Sequence, residues 1–287
     1  FTRCLGDNDA QRGHSYYFPA QKHDPAHGML AGATAANLSA PTRAWLAHLG
    51  LPDPDTDADA AAAPWRHALA ITYSPQYLGD NADGVAIDWP RVPLPNERTL
   101  LDTSVALGAK VAALLDTEVD VPGVTSGSVA EHLRVLGGIS ATDLRVSAGW
   151  GSRDRKGRIN PGRGKTETRD WTEAEKDSLR KGFAAAGIVE ARGFALLGRA
   201  VDVHLNETTF WRGVPEATWD YVIGGYFVIK KWLSYREEAI LGRALTKDEA
   251  REVTAMVRRL TALILLSDDL DANYVACRDK AYSWPKT

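Results

Sequence analysis

A single stretch, Tyr221–Glu237, changes its hydrophobic period part-way, and this change limits the folds open to the chain. It opens with a strand-like alternation and turns at Gly224-Gly225. Three apolar residues then fall on one helix face: Tyr226, Ile229 and Leu233. The opposite face carries Lys230, Lys231 and Ser234. Strand and helix must therefore follow each other closely here.

Two interpretations of this stretch stay open. A glycine pair ahead of a helix N-terminus, with two lysines close behind, suits an anion such as a backbone phosphate. A glycine turn followed by an ordinary amphipathic helix with solvated lysines explains the same residues. The local pattern alone favours this second interpretation.

The composition is that of a soluble globular protein. Of 287 residues, 44% are hydrophobic and 25% are charged, with a formal net charge of -3. This charge excludes a uniformly basic nucleic-acid binder but allows a local basic patch. Cys4 and Cys277 lie at opposite ends and form no disulfide framework, so we expect a cytoplasmic protein. No apolar run of about 18 residues occurs, so we expect no membrane contact.

The start of the chain indicates an excised fragment. The first residue is Phe1 rather than methionine, and no signal peptide follows it. We therefore expect an N-terminal partner domain in the same polypeptide.

Composition divides the chain into four expected regions. Residues 1–52 are an irregular or helical segment that includes a helix over Ser39–Leu49. Alternating acidic and small residues in 53–64 predict a solvated linker. Residues 65–237 are expected to form an α+β domain, with a mixed or mainly antiparallel sheet packed by helices. Residues 238–287 are expected to form a C-terminal helical part.

Periodicity predicts further elements within these regions. Three strands are expected: His67–Tyr73, Arg145–Trp150 and Val201–Leu205. Three helices are expected: one over Arg98–Thr117, and two that begin with capping boxes at Thr172 and Thr246. Three prolines exclude regular structure from Ile87–Pro95.

The most basic segment of the chain is 153–169. Seven cations face only two carboxylates, Asp154 and Glu167, which leaves a local net charge of +5. The cations are Arg153, Arg155, Lys156, Arg158, Arg163, Lys165 and Arg169. Glycines and a proline predict a hairpin or loop, with Trp150 at its base and Asn160 near its tip. Such a hairpin either contacts a polyanion or only keeps the surface soluble.

Recognisable catalytic and metal-binding patterns are absent from the sequence. It contains no Gly-x-Gly-x-x-Gly cofactor loop after a strand, no P-loop and no nucleophile elbow. His23 and His27 have the spacing of a helical metal pair, but Pro25 between them disfavours that helix. The carboxylate pairs Asp268-Asp269 and Glu237-Glu238 are expected to be solvated. By itself the chain does not look like a self-sufficient enzyme.

Seven segments occur in an order typical of one protein family. They are Ala70–Pro75, Asp88–Pro95, Gly123–Thr125, Gly149–Gly151, Asp202–Asn206, Trp219–Arg236 and Leu270–Tyr274. Together they resemble the C-terminal target-recognition region of large DNA adenine-N6 methyltransferases, including the single-chain type ISP restriction–modification enzymes. The resemblance covers nearly the whole chain, and Trp219–Arg236 is its most specific part.

The resemblance implies that chemistry and recognition belong to different domains. In this family a separate N-terminal domain binds S-adenosyl methionine and carries an Asn-Pro-Pro-Tyr/Phe catalytic motif. That motif does not occur here, and Asn160-Pro161-Gly162 shares only two residues with it. The resemblance thus implies no cofactor in this chain, with double-stranded DNA and the methyltransferase domain as partners. Its role would be to place an adenine for flipping into that domain.

The resemblance also selects candidate DNA-binding residues. Four match the family's string and are expected to contact phosphates: Lys230, Lys231, Ser234 and Arg236. Four in the basic segment are expected to contact base edges: Arg155, Arg158, Asn160 and Arg163. The other candidates are Arg153, Lys156, Lys165, Tyr73 and Ser74. No catalytic residue is expected.

Two other functions stay open. The chain could be an interdomain or intersubunit scaffold, with the helix over 246–266 as its coupling surface. It could also be a small-molecule enzyme with an unrecognised site. Salt-dependent DNA binding would distinguish DNA reading from the scaffold function.

Overall fold

The computed structural model describes residues 18–23 and 34–284. They form two compact units, one that ends at Asp116 and resumes at Ser267, and one over Thr117–Leu266. Antiparallel sheets occur together with helices, which confirms the α+β class. Among the described residues, no helix is long and apolar enough to cross a membrane. Cys4 and His27 lie outside the described residues.

The first unit is mainly helical. Its elements are β1 (Gln21–His23), β2 (Thr34–Ala36), α1 (Ala40–His48), α2 (Ala58–Thr72), α3 (Pro75–Asp80), α4 (Ala82–Ile87), α5 (Arg98–Leu115) and, from the end of the chain, α13 (Ser267–Asp279). Side-chain oxygens begin two of the helices, since Ser39 accepts from the N–H of Thr42 and Asp57 from that of Ala60. The irregular course expected for the proline-rich segment is confirmed over Asp88–Leu94.

Two expectations for this unit are wrong at neighbouring positions. Residues 53–64 are not a linker and His67–Tyr73 is not a strand, because α2 covers Ala58–Thr72. Asp57 is the N-cap of α2, and three alanines of the expected linker are buried in it: Ala60, Ala61 and Ala63. A short apolar run does not distinguish a strand from a buried helix, and small residues suit a helix that packs closely.

Close packing of α2 against α5 explains these small residues. A Cβ at Gly108 of α5 would overlap the backbone carbonyl of Arg66 in α2. The apolar face of α5 is buried at Leu101, Leu107 and Val111. The helix expected over Arg98–Thr117 is therefore confirmed, and so is the one over Ser39–Leu49.

A buried histidine lies between α2 and α5. The Nε2 of His67 donates to the carbonyl oxygen of Pro93 at 3.0 Å, so its Nδ1 accepts from the hydroxyl of Ser104 at 2.7 Å. Burial lowers the pKa of His67 to about 4, because the charged imidazolium would lose its hydration. The side chain is therefore neutral in the folded protein at pH 7.

We expect the first unit to lose stability on mild acidification. The unfolded chain binds a proton at His67 near pH 6.5, whereas the folded chain binds it only near pH 4, so acid favours unfolding between these values. From pH 7 to pH 5 the free energy of unfolding should fall by about 2 kcal/mol through this group. Urea denaturation at both pH values measures the fall. His67→Gln should reduce this fall in the free energy of unfolding, whereas replacing the exposed His48 should leave the fall unchanged. An unreduced fall in H67Q would contradict its origin in the buried, neutral His67.

The second unit packs helices on a four-stranded antiparallel sheet. The strands, in spatial order, are β3 (Gly138–Ile139), β8 (Phe210–Pro215), β7 (Ala200–His204) and β6 (Thr166–Arg169). The helices include α6 (Glu131–Arg134), α7 (Glu173–Ala186), α8 (Glu190–Leu197), α9 (Glu216–Trp219) and α12 (Lys247–Leu265). All five residues of β7 are buried. Trp211 links the sheet to α12, because its Nε1 donates to the carbonyl of Ala250 at 3.2 Å.

Most expected elements of this unit are confirmed. Capping boxes at Thr172 and Thr246 begin α7 and α12, and Val201–Leu205 contains most of β7. Arg145–Trp150, however, is not a strand. Its backbone bonds go to scattered partners; the N–H of Ser147, for example, donates to the carbonyl that follows β7, at 2.7 Å.

Candidate nucleic-acid interface

The basic segment folds as an antiparallel hairpin of β4 (Gly151–Arg153) and β5 (Ile159–Pro161). Asp154 shapes its turn, because one carboxylate oxygen accepts from the N–H groups of Lys156 at 2.8 Å and Arg158 at 2.9 Å. The expected hairpin is confirmed. We refer to residues 151–165 as the basic hairpin.

The tip of the basic hairpin lies at Arg155–Gly157. Gly157 has a φ of 78°, in the left-handed region that favours glycine. Asn160 is not near the tip, as expected from the sequence, but pairs with Ser152 within the ladder. The reason is that the hydrogen bonds to Asp154 close the turn before the chain reaches the Asn-Pro-Gly run. Seven candidate residues are exposed: Arg153, Arg155, Lys156, Arg158, Asn160, Arg163 and Lys165.

A buried tryptophan forms the base of the basic hairpin, as expected. Trp150 is fully buried, and its Nε1 donates to the carbonyl of His204 at 2.7 Å. Gly164 packs on its ring so closely that any Cβ there would overlap it. The N–H of Gly162 donates to the Trp150 carbonyl at 2.6 Å. The base of the hairpin is therefore attached to the core of the unit.

A buried carboxylate holds the other side of this base. Glu237 accepts from the N–H of Gly149 at 3.0 Å and from that of Trp150 at 2.8 Å. It immediately precedes α11 (Glu238–Leu241) and is 7% exposed. The expectation that Glu237 is solvated is therefore wrong, because it is used as a double backbone acceptor.

The stretch Tyr221–Glu237 begins with a second, smaller hairpin. Its strands are β9 (Val222–Ile223) and β10 (Tyr226–Phe227), and they lead into α10 (Val228–Ser234). Both turn residues have positive φ, 57° at Gly224 and 81° at Gly225. Such a turn matches the twist of the strands that it joins. We refer to residues 222–227 as the apolar hairpin.

The helix starts later than expected, because the apolar hairpin includes Tyr226. Ile229 and Leu233 are buried as expected, but Tyr226 lies in β10 and is 56% exposed. The glycine pair closes a hairpin and does not precede the helix directly. Because α10 has only seven residues, its N-terminus is no convincing anion site.

Two cations on and beside α10 contact aromatic rings. The ammonium of Lys231 lies 4.5 Å from the ring centre of Tyr226 and 4.9 Å from that of Tyr235. The guanidinium of Arg236 lies 3.8 Å from the ring centre of Trp232. These cation–π contacts orient the two side chains.

One small cavity connects the two hairpins. It has a volume of about 160 Å³ and is lined by Pro161, Gly225, Tyr226, Phe227, Lys230 and Lys231. The end of β5, the apolar hairpin and the lysines of α10 therefore share one surface. Residues that are about 70 positions apart in the sequence meet there.

The sequence of the chain matches one protein family over most of its length. A family model described as the type ISP C-terminal specificity domain matches residues 1–261. The chain belongs to this family. The match confirms the resemblance found in the sequence, and as a specificity domain the chain has a target-recognition role in a restriction–modification enzyme. Searches of the curated proteins and of the solved structures found no match.

Two predicted site residues of the specificity domain are buried, Ser74 and Ser234, and four are half-buried: Tyr73, Lys230, Lys231 and Arg236. Ser74 is fully buried, and its hydroxyl donates to Asp271 at 2.5 Å. Tyr73 is half-buried at the end of α2, and burial raises the pKa of its phenol. Ser234 is 1% exposed and donates to the carbonyl of Lys231 at 2.7 Å. The hydroxyls of Ser74 and Ser234 therefore serve the fold.

One cation of the basic segment serves the fold as well. Arg169, at the end of β6, donates to Glu175 at 2.7 and 2.8 Å and to Asp202 at 2.9 and 3.1 Å. This ionic group lies in the wall of a cavity of about 680 Å³. Arg169 therefore joins strand β6 to α7 and contributes no free charge to the interface of the specificity domain.

Sequence reasoning missed two features of this interface. The first is Glu237, whose partners lie 87 and 88 residues away and leave no local signal. The second is the exposure of Val222, Ile223 and Phe227. Their alternation resembles that of a buried strand, although the adjacent Gly-Gly pair was a signal for a projecting hairpin.

Proposed function

We propose that this specificity domain reads duplex DNA through the surface shared by the basic hairpin, the apolar hairpin and α10. The observation that carries the proposal is the cavity at which the basic hairpin and two lysines of α10 meet. Pro161 is the residue of the basic hairpin that lines this cavity, and six exposed cations lie on the same hairpin. DNA presents phosphates to such a surface at regular intervals.

Two roles divide the candidate residues. A two-stranded β-ribbon fits the major groove, where arginine pairs with guanine and asparagine with adenine. This assigns base contacts to four residues of the basic hairpin: Arg155, Arg158, Asn160 and Arg163. Phosphate contacts fall to Lys230, Lys231 and Arg236, helped by Arg153, Lys156 and Lys165. Ser74 and Ser234 are left out because their hydroxyls are engaged within the fold, and Tyr73 is left out because it is half-buried.

The methylation chemistry belongs in this proposal to a linked domain. We propose that the target is an adenine, flipped into an N-terminal methyltransferase domain that binds S-adenosyl methionine. The 287-residue chain contains no glycine-bearing cofactor loop and no Asn-Pro-Pro-Tyr/Phe motif. Its contribution is to hold the duplex at the correct position.

The scaffold alternative receives no support from its own helix. Its coupling surface was expected to be the helix over 246–266. The apolar face of that helix, α12, is buried inside the second unit, at Ala250, Val253, Val257 and Leu260. The face is therefore already occupied by the core.

The test of this function is the salt dependence of DNA binding. The logarithm of the binding constant should fall linearly with the logarithm of salt concentration, by roughly 0.9 per phosphate contacted. Lys230→Ala with Lys231→Ala should weaken binding to all sequences alike and flatten the slope by roughly 2. Fluorescence anisotropy between about 50 and 200 mM salt measures both. Replacing the exposed Lys181 and Lys247 is the matched control. Absence of DNA binding at low salt would refute the function.

Base reading predicts a different response. Arg158→Ala or Arg163→Ala should relax discrimination at one position of the recognition site by about 1–3 kcal/mol. Competition between duplexes that differ at one base pair measures this change. A uniform loss of affinity across all duplexes would instead assign these arginines to phosphates.

A further inference from the structure

The apolar hairpin keeps large hydrophobic side chains in solvent. Val222 is 45% exposed, Ile223 44%, Tyr226 56% and Phe227 44%. With Tyr235 they make up five of the twelve large hydrophobic side chains exposed in the described part of the chain. A cluster of this kind usually marks a binding site.

The apolar hairpin is a short projection with a firm base. The N–H of Val228 donates to the carbonyl of Tyr221 at 3.1 Å, which closes the hairpin below its strands. The helix that follows is anchored in the core by Ile229 and Leu233. The register places Ile223 opposite Tyr226 and Val222 opposite Phe227, so each face of the hairpin carries one aromatic ring and one aliphatic side chain.

The charges around the apolar hairpin favour a nucleic acid over a protein. Lys230 and Lys231 line the same cavity as Tyr226 and Phe227, and Pro161 connects that cavity to the basic hairpin. Lysine is depleted in protein–protein interfaces, whereas cations beside exposed aromatic rings suit phosphates beside bases. The partner that matches both chemistries is a DNA strand.

We propose that the apolar hairpin is a wedge that enters a base step of the bound duplex. Tyr226 and Phe227 stack on the separated bases while Lys230 and Lys231 hold the adjacent phosphates. Apolar side chains that enter a base step unstack it and bend the duplex, and the bent DNA contacts more protein. The proposal rests on the DNA-reading function and adds a second mode of contact to it.

The test is a pair of substitutions in the full polypeptide that contains this chain. Duplexes carry 2-aminopurine at successive positions across and beside the recognition site, excluding the methylated adenine, whose flipping would also raise fluorescence. The unmodified protein should raise the fluorescence at one step. Tyr226→Ser with Phe227→Ser should abolish that rise and weaken binding about tenfold. The salt slope should stay the same, because no cation is removed.

Two further variants serve as controls. Val189→Ser removes an apolar side chain that is 71% exposed elsewhere in the second unit, and it should change neither fluorescence nor affinity. Tyr226→Leu with Phe227→Leu keeps an apolar tip and should retain most of the unstacking. Thermal melting of each variant checks that the fold is intact.

The outcomes separate the wedge from the DNA-reading function. If the serine variant binds with unchanged affinity and unchanged fluorescence, the wedge is overturned and DNA reading stands. If DNA affinity and fluorescence are unchanged but the variant no longer melts cooperatively with the rest of the polypeptide, the hairpin contacts protein. That result would likewise overturn the wedge. If the unmodified protein shows no salt-dependent binding, both proposals fail.

Discussion

Replacing Arg169 by alanine should lower the free energy of unfolding of the second unit by about 3–5 kcal/mol. The guanidinium bridges Glu175 and Asp202, whose side chains are 7% and 9% exposed. Alanine would leave two buried negative charges without their partner, which costs far more than the loss of an exposed ion pair. Urea denaturation followed by tryptophan fluorescence measures the difference.

The control for this substitution is a neighbouring exposed pair. Lys176 contacts Glu173 at 2.8 Å on the surface of α7, and Lys176→Ala should cost at most about 0.5 kcal/mol. Under conditions where R169A is folded, its salt slope for DNA binding should match that of the unmodified protein. A small loss of stability with a flatter slope would instead make Arg169 a phosphate contact.

Replacing Glu237 by alanine should cost a similar amount, about 3–5 kcal/mol. Two charge-assisted hydrogen bonds disappear, each of about 1.5–3 kcal/mol, and two backbone donors lose their acceptor. Because these donors form the base of the basic hairpin, the hairpin should also become less well positioned. The ratio of specific to non-specific DNA affinity should therefore fall while the salt slope persists.

Two variants define this effect. Glu237→Gln keeps one acceptor oxygen and should lose about half as much stability. Glu238→Ala removes the adjacent carboxylate, which is less buried, and should leave DNA discrimination intact. Equal losses in the Glu237 and Glu238 variants would contradict the anchoring role. Denaturation and competition binding give the two measurements.

The parts of the site that were predictable are those encoded locally. The basic hairpin followed from cations interspersed with glycine and proline, and its base from Trp150. The capping boxes at Thr172 and Thr246 were confirmed because every partner lies within three residues. In each case the residues that decide the structure are neighbours in the sequence.

The parts that were not predictable depend on distant contacts. His67–Tyr73 was assigned to a strand because seven residues carry too little periodicity to reveal α2. Arg169 was counted with the basic segment, but Asp202 and Glu175 bind it. Glu237 was expected to be solvated, but the backbone N–H groups that bind it lie 87 and 88 residues away in the sequence. Charged residues were misassigned where tertiary partners bind them within the fold.

The turn of the basic hairpin has a consequence for how target preference can change. Asp154 and Gly157 shape this turn, while the exposed side chains of Arg155 and Lys156 make no hydrogen bond or ion pair within the described residues. Exposed positions of this kind usually tolerate substitution within about 0.5 kcal/mol. New side chains can therefore be exchanged at the tip without refolding the domain. A recognition module built this way can evolve, or be engineered, toward a new target one residue at a time.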